Sequence, residues 1–198
     1  MTARRFFAGA ALLALILAPA AIGADEKAKG AVPPEMEASM KLAAPGDHHK
    51  HLAAGIGKWD VAVKLWMAPG QPPAESTGTM ESSWLLGGRF VETTYKGDLM
   101  GMPFEGHGVD GYDNGAHQYV STWADNMGTM MMYFTGTCSD DGKVRTMTAD
   151  FTDPVTGQKM KNRSVTTVKD ASSFTYEAWM VDGEGHEFKQ MEMVAARR

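Results

Sequence analysis

Gly57-Lys58-Trp59-Asp60-Val61-Ala62-Val63-Lys64-Leu65-Trp66 is the stretch on which the fold turns. Trp59, Val61, Val63 and Leu65 alternate with Asp60, Ala62, Lys64 and Trp66. A period of two places one set on each side of an extended chain, so the stretch reads as a half-buried strand. Further segments of the same kind follow, and no helical periodicity interrupts them.

Working outward, strand one runs from Lys58 to Met67, and the proline-rich Ala68-Pro69-Gly70-Gln71-Pro72-Pro73 ends it. Strands follow over Glu75–Leu86, Arg89–Lys96, Phe104–Tyr112, His117–Ala124, Met130–Cys138, Val144–Phe151, Lys159–Val168, Ser172–Met180 and Glu187–Ala195. Their connections carry turn chemistry: Gly87-Gly88, Asp113-Asn114-Gly115, Asp140-Asp141-Gly142, Asp153-Pro154-Val155-Thr156-Gly157, Lys169-Asp170 and Asp182-Gly183-Glu184-Gly185. Gly106 and Gly108 interrupt the fourth strand and predict bends or bulges there. Even spacing and short hairpins predict an all-β chain, a single antiparallel up-and-down barrel of about ten strands. Closure removes the edges that an open sheet would expose. The lumen of such a barrel is either filled by side chains or wide enough for one small ligand.

Upstream lies a different composition. Arg4 and Arg5 precede an apolar run, Phe6 to Leu17, and then the small residues Ala18, Pro19, Ala20, Ala21, Gly23 and Ala24. Residues 1–24 read as a secretory signal peptide, cut after Ala24 or alternatively after Ala20, and the run is too short for a membrane span. Arg4-Arg5-Phe6-Phe7 has a twin-arginine flavour, but an ordinary charged n-region accounts for it. No cysteine stands at the cleavage region to carry a lipid. Residues 25–47 read as a flexible segment with a short helix near Glu35 to Leu42, and residues 48–198 as the barrel domain. A further short helix, His48 to Ile56, sits before strand one, with Asp47 as N-cap and Gly57 as the residue after its end.

The whole chain carries 19 Lys+Arg against 24 Asp+Glu, a net charge of −5. Signal removal takes away two arginines and no acid, leaving about −7, which argues against nucleic acid or an anionic membrane as partner. The chain is expected to be periplasmic or secreted, with no membrane span after signal removal. Cys138 is the sole cysteine, so no intramolecular disulfide forms and stability rests on the core.

The motifs Gly57-x-Trp59-Asp60, Ser76-Thr77-Gly78-Thr79, Leu86-Gly87-Gly88-Arg89-Phe90, Gly101-Met102-Pro103-Phe104-Glu105-Gly106, Gly111-Tyr112-Asp113-Asn114, Ser121-Thr122-Trp123-x-Asp125-Asn126-Met127-Gly128-Thr129 and Asp153-Pro154-x-Thr156-Gly157 occur in this order. Together they resemble a bacterial domain-of-unknown-function family (catalogue number fifteen seventy-nine) over residues 49–197. The resemblance implies a lipocalin-like, or calycin-type, barrel and no agreed activity. It also implies that a late basic residue stacks on the first-strand Trp59. Arg197 is the candidate, with Arg198 and Arg89 as rivals, although Ala195-Ala196 lacks the aromatic expected before it.

Sixteen methionines include Met100, Met102, Met127, Met130, Met131, Met132, Met191 and Met193. They admit three readings: gap-filling core, a soft lining for an apolar ligand, or thioether ligands for copper(I). His48, His49 and His51 read as solvated surface, with His48 and His51 able to share a helix face. Asp125-Asn126-Met127-Gly128-Thr129 reads as a capped turn or a loop reaching a ligand. Arg89, Arg163, Glu92, Glu177 and Glu192 fall within strand segments, and any that face inward need a partner. Cys138 reads as a small core residue. The expected activity is binding of a small, largely apolar molecule in the lumen by Trp84, Phe104, Tyr112, Trp123, Met130, Met132 and Trp179, oriented by Arg89 or Asp125. The alternatives are an enzyme using an internal carboxylate, Asp125 or Glu177, and a periplasmic metal or haem handler that holds copper through its methionines or haem through His107 or His117. No zinc-ligand spacing, phosphate loop or nucleophile elbow is present. No metal site and no cofactor is assigned, and oligomeric state is left open.

Overall fold

A computed structural model describes residues 32–198. The residues 1–24 expected to form a signal peptide and the start of the 25–47 segment lie outside them. Ten strands form one closed antiparallel barrel in the order β1-β10-β9-β8-β7-β6-β5-β4-β3-β2. They are β1 Gly57–Leu65, β2 Ala74–Leu85, β3 Phe90–Leu99, β4 Met102–Asp113, β5 Gln118–Asp125, β6 Met132–Cys138, β7 Val144–Thr152, β8 Lys159–Asp170, β9 Ser173–Val181 and β10 Glu187–Arg197. Each strand pairs with its sequence neighbour, so every connection is a hairpin, and β1–β10 pairing closes the ring. Two helices precede the barrel, α1 Pro34–Ala43 and α2 Asp47–His51, and α2 continues into a 3-10 turn at Leu52–Gly55.

Closure is organised by β1. Trp59, Val61 and Val63 are buried while Lys58, Asp60, Ala62 and Lys64 are exposed. Trp59, 1% exposed, faces Arg197 across the closing seam. The Arg197 guanidinium lies 4.2 Å over the Trp59 ring. It also donates to the Ile56 carbonyl at 2.9 Å and to the Ala171 carbonyl at 2.8 Å. Trp59 Nε1 donates to the Gly55 carbonyl at 2.9 Å, and its ring meets Phe174 edge to face at 4.9 Å. Arg197 therefore takes the stacking role. Arg198 pairs with Asp60 instead, and Arg89 donates to the Ala43 carbonyl. Gly57 has φ +126°, and a Cβ there would overlap Arg197 Nη1, so glycine is required on both counts.

Two expectations about local backbone are corrected. The β4 register runs unbroken through Gly106 and Gly108 on both sides, so no bulge occurs there. Those glycines make room for the Trp123 indole, which a Cβ at Gly106 would overlap. Bulges lie instead at Lys189/Met191 in β10 and Val168/Asp170 in β8. The N-cap of α2 is Gly46 and not Asp47: the Gly46 N–H donates to His49 Nδ1 at 3.0 Å, and Asp47 turns to Lys50.

The outer wall carries cross-strand ion pairs: Lys58–Glu81, Lys64–Glu75, Lys96–Glu105, His107–Glu92 and Lys161–Asp150. Exposed pairs of this kind contribute little each but keep the wall polar. No described helix is long and apolar enough to cross a membrane.

Trp59→Ala is expected to cost about 3–5 kcal/mol, the range for emptying a large core site. Arg197→Ala is expected to cost about 1–2 kcal/mol, as a cation–π contact of a partly desolvated pair. Urea denaturation of the two variants checks both the size and the order.

Candidate functional site

The two ends of the barrel differ. At the end where β1 begins, α2 and the following turn insert as a plug. Leu52, 3% exposed, packs in one core cluster with Val91, Tyr119, Phe134, Met147 and Ala149. His49 is 5% exposed, His48 stacks on Tyr112 at 4.2 Å, and His51 Nδ1 lies 2.9 Å from the Tyr119 hydroxyl. The Tyr119 hydroxyl also donates to the His48 carbonyl at 3.2 Å. The expectation of a solvated histidine surface is thus corrected for the buried His49 and the half-buried His51, which the plug carries onto the aromatic rim of β4 and β5, while His48 stays exposed as it stacks on Tyr112. Burial holds His49 below the ordinary histidine range, helped by the nearby positive charges of His48 and Arg89. Burial likewise pushes the Tyr119 phenol up.

Above the plug lies a polar layer. Asp110 on β4 and Arg145 on β7 both face the lumen and approach to 3.5 Å. Arg145 Nε is buried without a hydrogen-bond partner. Burial pushes the Tyr176 phenol up. By contrast, the charges expected as inward candidates sit outside. Glu92 pairs with His107; Arg163 with Glu187; Lys189 with Glu177 and Glu192; and Arg89 lies in the β2–β3 connection. The β10 bulge explains one of these, since it turns Lys189 and Glu192 to the same face three residues apart.

At the other end the inward positions are apolar and only half-buried: Leu65, Leu99, Phe104, Met132, Phe151, Met160, Met180, Phe188 and Met191. Exposed Met67, Met100, Met102, Met127, Met130 and Met131 surround them in the connecting loops and first strand residues. Phe104, Met191 and Met193 pack on the second core cluster of Trp59, Val61, Val63, Tyr95, Phe174 and Ala195. Trp123 touches both clusters, so the lumen is filled from the plug to about the level of Trp123. A cleft of about 440 Å³ opens at the rim, lined by Asp150, Phe151, Thr152, Lys159, Met160, Lys161, Asp182 and Gly183.

The expected ligand set is therefore divided. Phe104, Trp123, Asp125, Met130 and Met132 gather toward the methionine-rich end. Tyr112 lies under the plug, and Trp84, 41% exposed, stands at the plug end of β2. Arg89 secures α1 and the β2–β3 turn through the Ala43 and Leu86 carbonyls, far from the apolar end. Trp179 faces outward, with the Arg163 guanidinium 4.0 Å and Lys189 Nζ 5.7 Å from its ring. Asp125 accepts from Trp123 Nε1 and from the Met127 N–H, both at 3.0 Å, and Asn126 ties the same turn to Pro103 and Glu105. The Asp125 loop is thus a capped turn that fixes the indole. His107 is on the outer wall, and His117, exposed at φ +53°, ends the Asp113–Asn114–Gly115 turn, so neither faces the lumen. Among the described residues no three His, Cys, Asp or Glu side chains converge. Sequence reading missed Asn162, Asp110 and Arg145, polar residues at lumen parity in otherwise apolar rows.

Gly106→Ala is expected to displace the Trp123 indole, shift its fluorescence and cost about 1–3 kcal/mol, the range for overpacking. The plug has a pH dependence with a definite sign. The folded state favours neutral His49, so its stabilisation is complete above the ordinary histidine pKa of about 6.5 and is lost as pH falls below it. Thermal melts at pH 7.5 and pH 5.5 should show a lower Tm at pH 5.5, and His49→Gln should flatten the difference.

Comparison with known proteins agrees with the architecture. A crystal structure of Rv2717c from M. tuberculosis is similar at 15% identity and TM-score 0.59, covering 78% of this chain and 99% of that one. At that identity the likeness concerns the fold alone. A redesigned β-barrel also matches, at 17% identity and TM-score 0.39, over 75% of this chain and 95% of that one. No curated protein matches significantly. The family described as "Protein of unknown function (DUF1579)" matches residues 44–197, which covers the plug and all ten strands. By that match and by its closed lipocalin-like barrel, the chain belongs to DUF1579.

Proposed function

We propose that this chain is an exported barrel protein that binds one small, largely apolar molecule in the methionine-lined end of its lumen. The observation that carries this reading is the asymmetry of the two ends. One is stoppered by Leu52, His49 and the Trp59–Arg197 closure. The other keeps a ring of inward apolar side chains only half-covered, beside a cleft of about 440 Å³. Apolar surface left in that state is stabilised by an apolar occupant. Thioether side chains adapt to irregular shapes, so the ring suits a ligand without a rigid outline. Phe151 and Met160 belong to both the ring and the cleft.

Export rests on Arg4, Arg5, the apolar run Phe6 to Leu17 and the small residues that follow. The enzymatic alternative has less behind it. Both Asp125 oxygens are engaged in the turn that holds Trp123, and Glu177 lies on the outer wall against Lys189. The haem alternative lacks a lumen-facing histidine at either position considered for it.

Native mass spectrometry of the protein purified from its own periplasm tests the reading. An added mass that denaturation releases is expected. A bare polypeptide mass that stays bare after incubation with lipid extract would overturn it.

A further inference from the structure

Among the described residues, Asn162 is the one in the apolar half of the lumen whose side-chain hydrogen bonding is unfinished. It stands on β8 between Met160 and Ser164 on the lumen row, with Ala149 of β7 and Met180 of β9 as its cross-strand partners. It is 8% exposed. Its carbonyl oxygen is buried with no hydrogen-bond partner. Its amide nitrogen reaches only the Met180 sulfur, at 3.7 Å. A thioether is a weak acceptor, so both ends of this carboxamide are underused. Buried amides without partners are rare in folded proteins, and a group left in that state calls for a partner outside the chain.

We propose that Asn162 receives the head of the ligand, and that this head is neutral and donates a hydrogen bond, as an alcohol or a primary amide does. The proposal rests on the reading of the barrel as a binder of apolar molecules and specifies the chemistry of their polar end. A hydroxyl donates to Asn162 Oδ1 and accepts from Nδ2, completing both. A carboxylate offers no donor to Oδ1. Its charge would be buried among Met160, Met180 and Ala149 with no cation facing it, at high cost. Lys161 and Arg163 flank Asn162 in sequence but sit on the other face of β8, where they pair with Asp150 and Glu187. An ammonium head fails likewise, because Asp150 and Glu187 are outside. Arg145 is the other lumen group with an unpartnered atom, but it has Asp110 as counter-ion and lies toward the plug, away from the apolar ring. The rim cleft reaches the lumen row of β8 at Met160, the neighbour of Asn162 on that row.

The test uses the mature protein and a neutral apolar dye, N-phenyl-1-naphthylamine, displaced by three chains of matched length: dodecan-1-ol, undecyl methyl ether and dodecanoate. Dodecan-1-ol is expected to bind about tenfold tighter than the ether, the ratio for one buried hydrogen bond. Dodecanoate is expected to bind no better than the ether. Asn162→Leu, which removes both polar atoms at similar volume, should fold, retain ether binding and erase the preference for the alcohol. Equal affinity of the wild-type protein for alcohol and ether, or tighter binding of dodecanoate, overturns the role of Asn162 and leaves the apolar binding reading standing. Failure of the dye and of all three chains to bind overturns both. The wild-type comparison decides even if the variant does not fold.

Discussion

The stacking of Arg197 on Trp59 is the contact on which the rest of the barrel depends. A meander of ten strands has two free edges, and only a long-range pairing of the first strand with the last removes them. Trp59 and Arg197 are 138 positions apart and become cross-strand partners at that seam. The arginine does three things there: it covers the indole, caps the Ile56 carbonyl where the plug meets β1, and caps Ala171 at the β8–β9 turn. Seam, plug and a neighbouring hairpin are thus held by one side chain. Gly57 is the condition for this, because a side chain there would occupy the guanidinium's place.

From that closed end the lumen fills in layers. The plug brings Leu52 and three histidines against Tyr112 and Tyr119. The Asp110–Arg145 pair and Tyr176 form a polar tier. Trp123, lying over Gly106 and Gly108 and held by Asp125, joins the two apolar clusters. Beyond it the wall turns to methionine and phenylalanine with partial exposure. The gradient from packed to half-covered follows from where chain is available to fill space. One end has a helix to insert, while the other has only short loops, with the proline-rich Ala68–Pro73 connection among them. Loops of that kind cross a rim without descending into the lumen.

The outer wall obeys a different constraint. Every strand shows one face to solvent, and cross-strand charge pairs populate that face. Trp179 joins it by lying beneath Arg163 and Lys189, whose stems and charges shield an indole that would otherwise be bare. Aromatic character alone therefore does not place a residue in the lumen.

Strand number, hairpin connectivity and closure were legible in the chain, because alternation, turn residues and spacing are local signals that one strand and one turn suffice to carry, while the Trp59–Arg197 contact was implied by the family resemblance alone. The methionine-rich end was half legible: Met191 and Met193 share the inward face as their spacing requires, but Met130 and Met131 precede β6 and stay exposed. What the chain alone did not carry was side. A strand's two faces are equivalent until the ring closes, and the β10 bulge then changes which parity points inward. So Trp179, Glu177 and Glu192 went to the wall, Arg145, Asp110 and Asn162 went to the lumen, and the histidines went into the plug. Periodicity by itself determined that there is a barrel. Only the closed tertiary structure decided which residues its interior contains, because inside and outside are properties of the whole ring and not of any one strand.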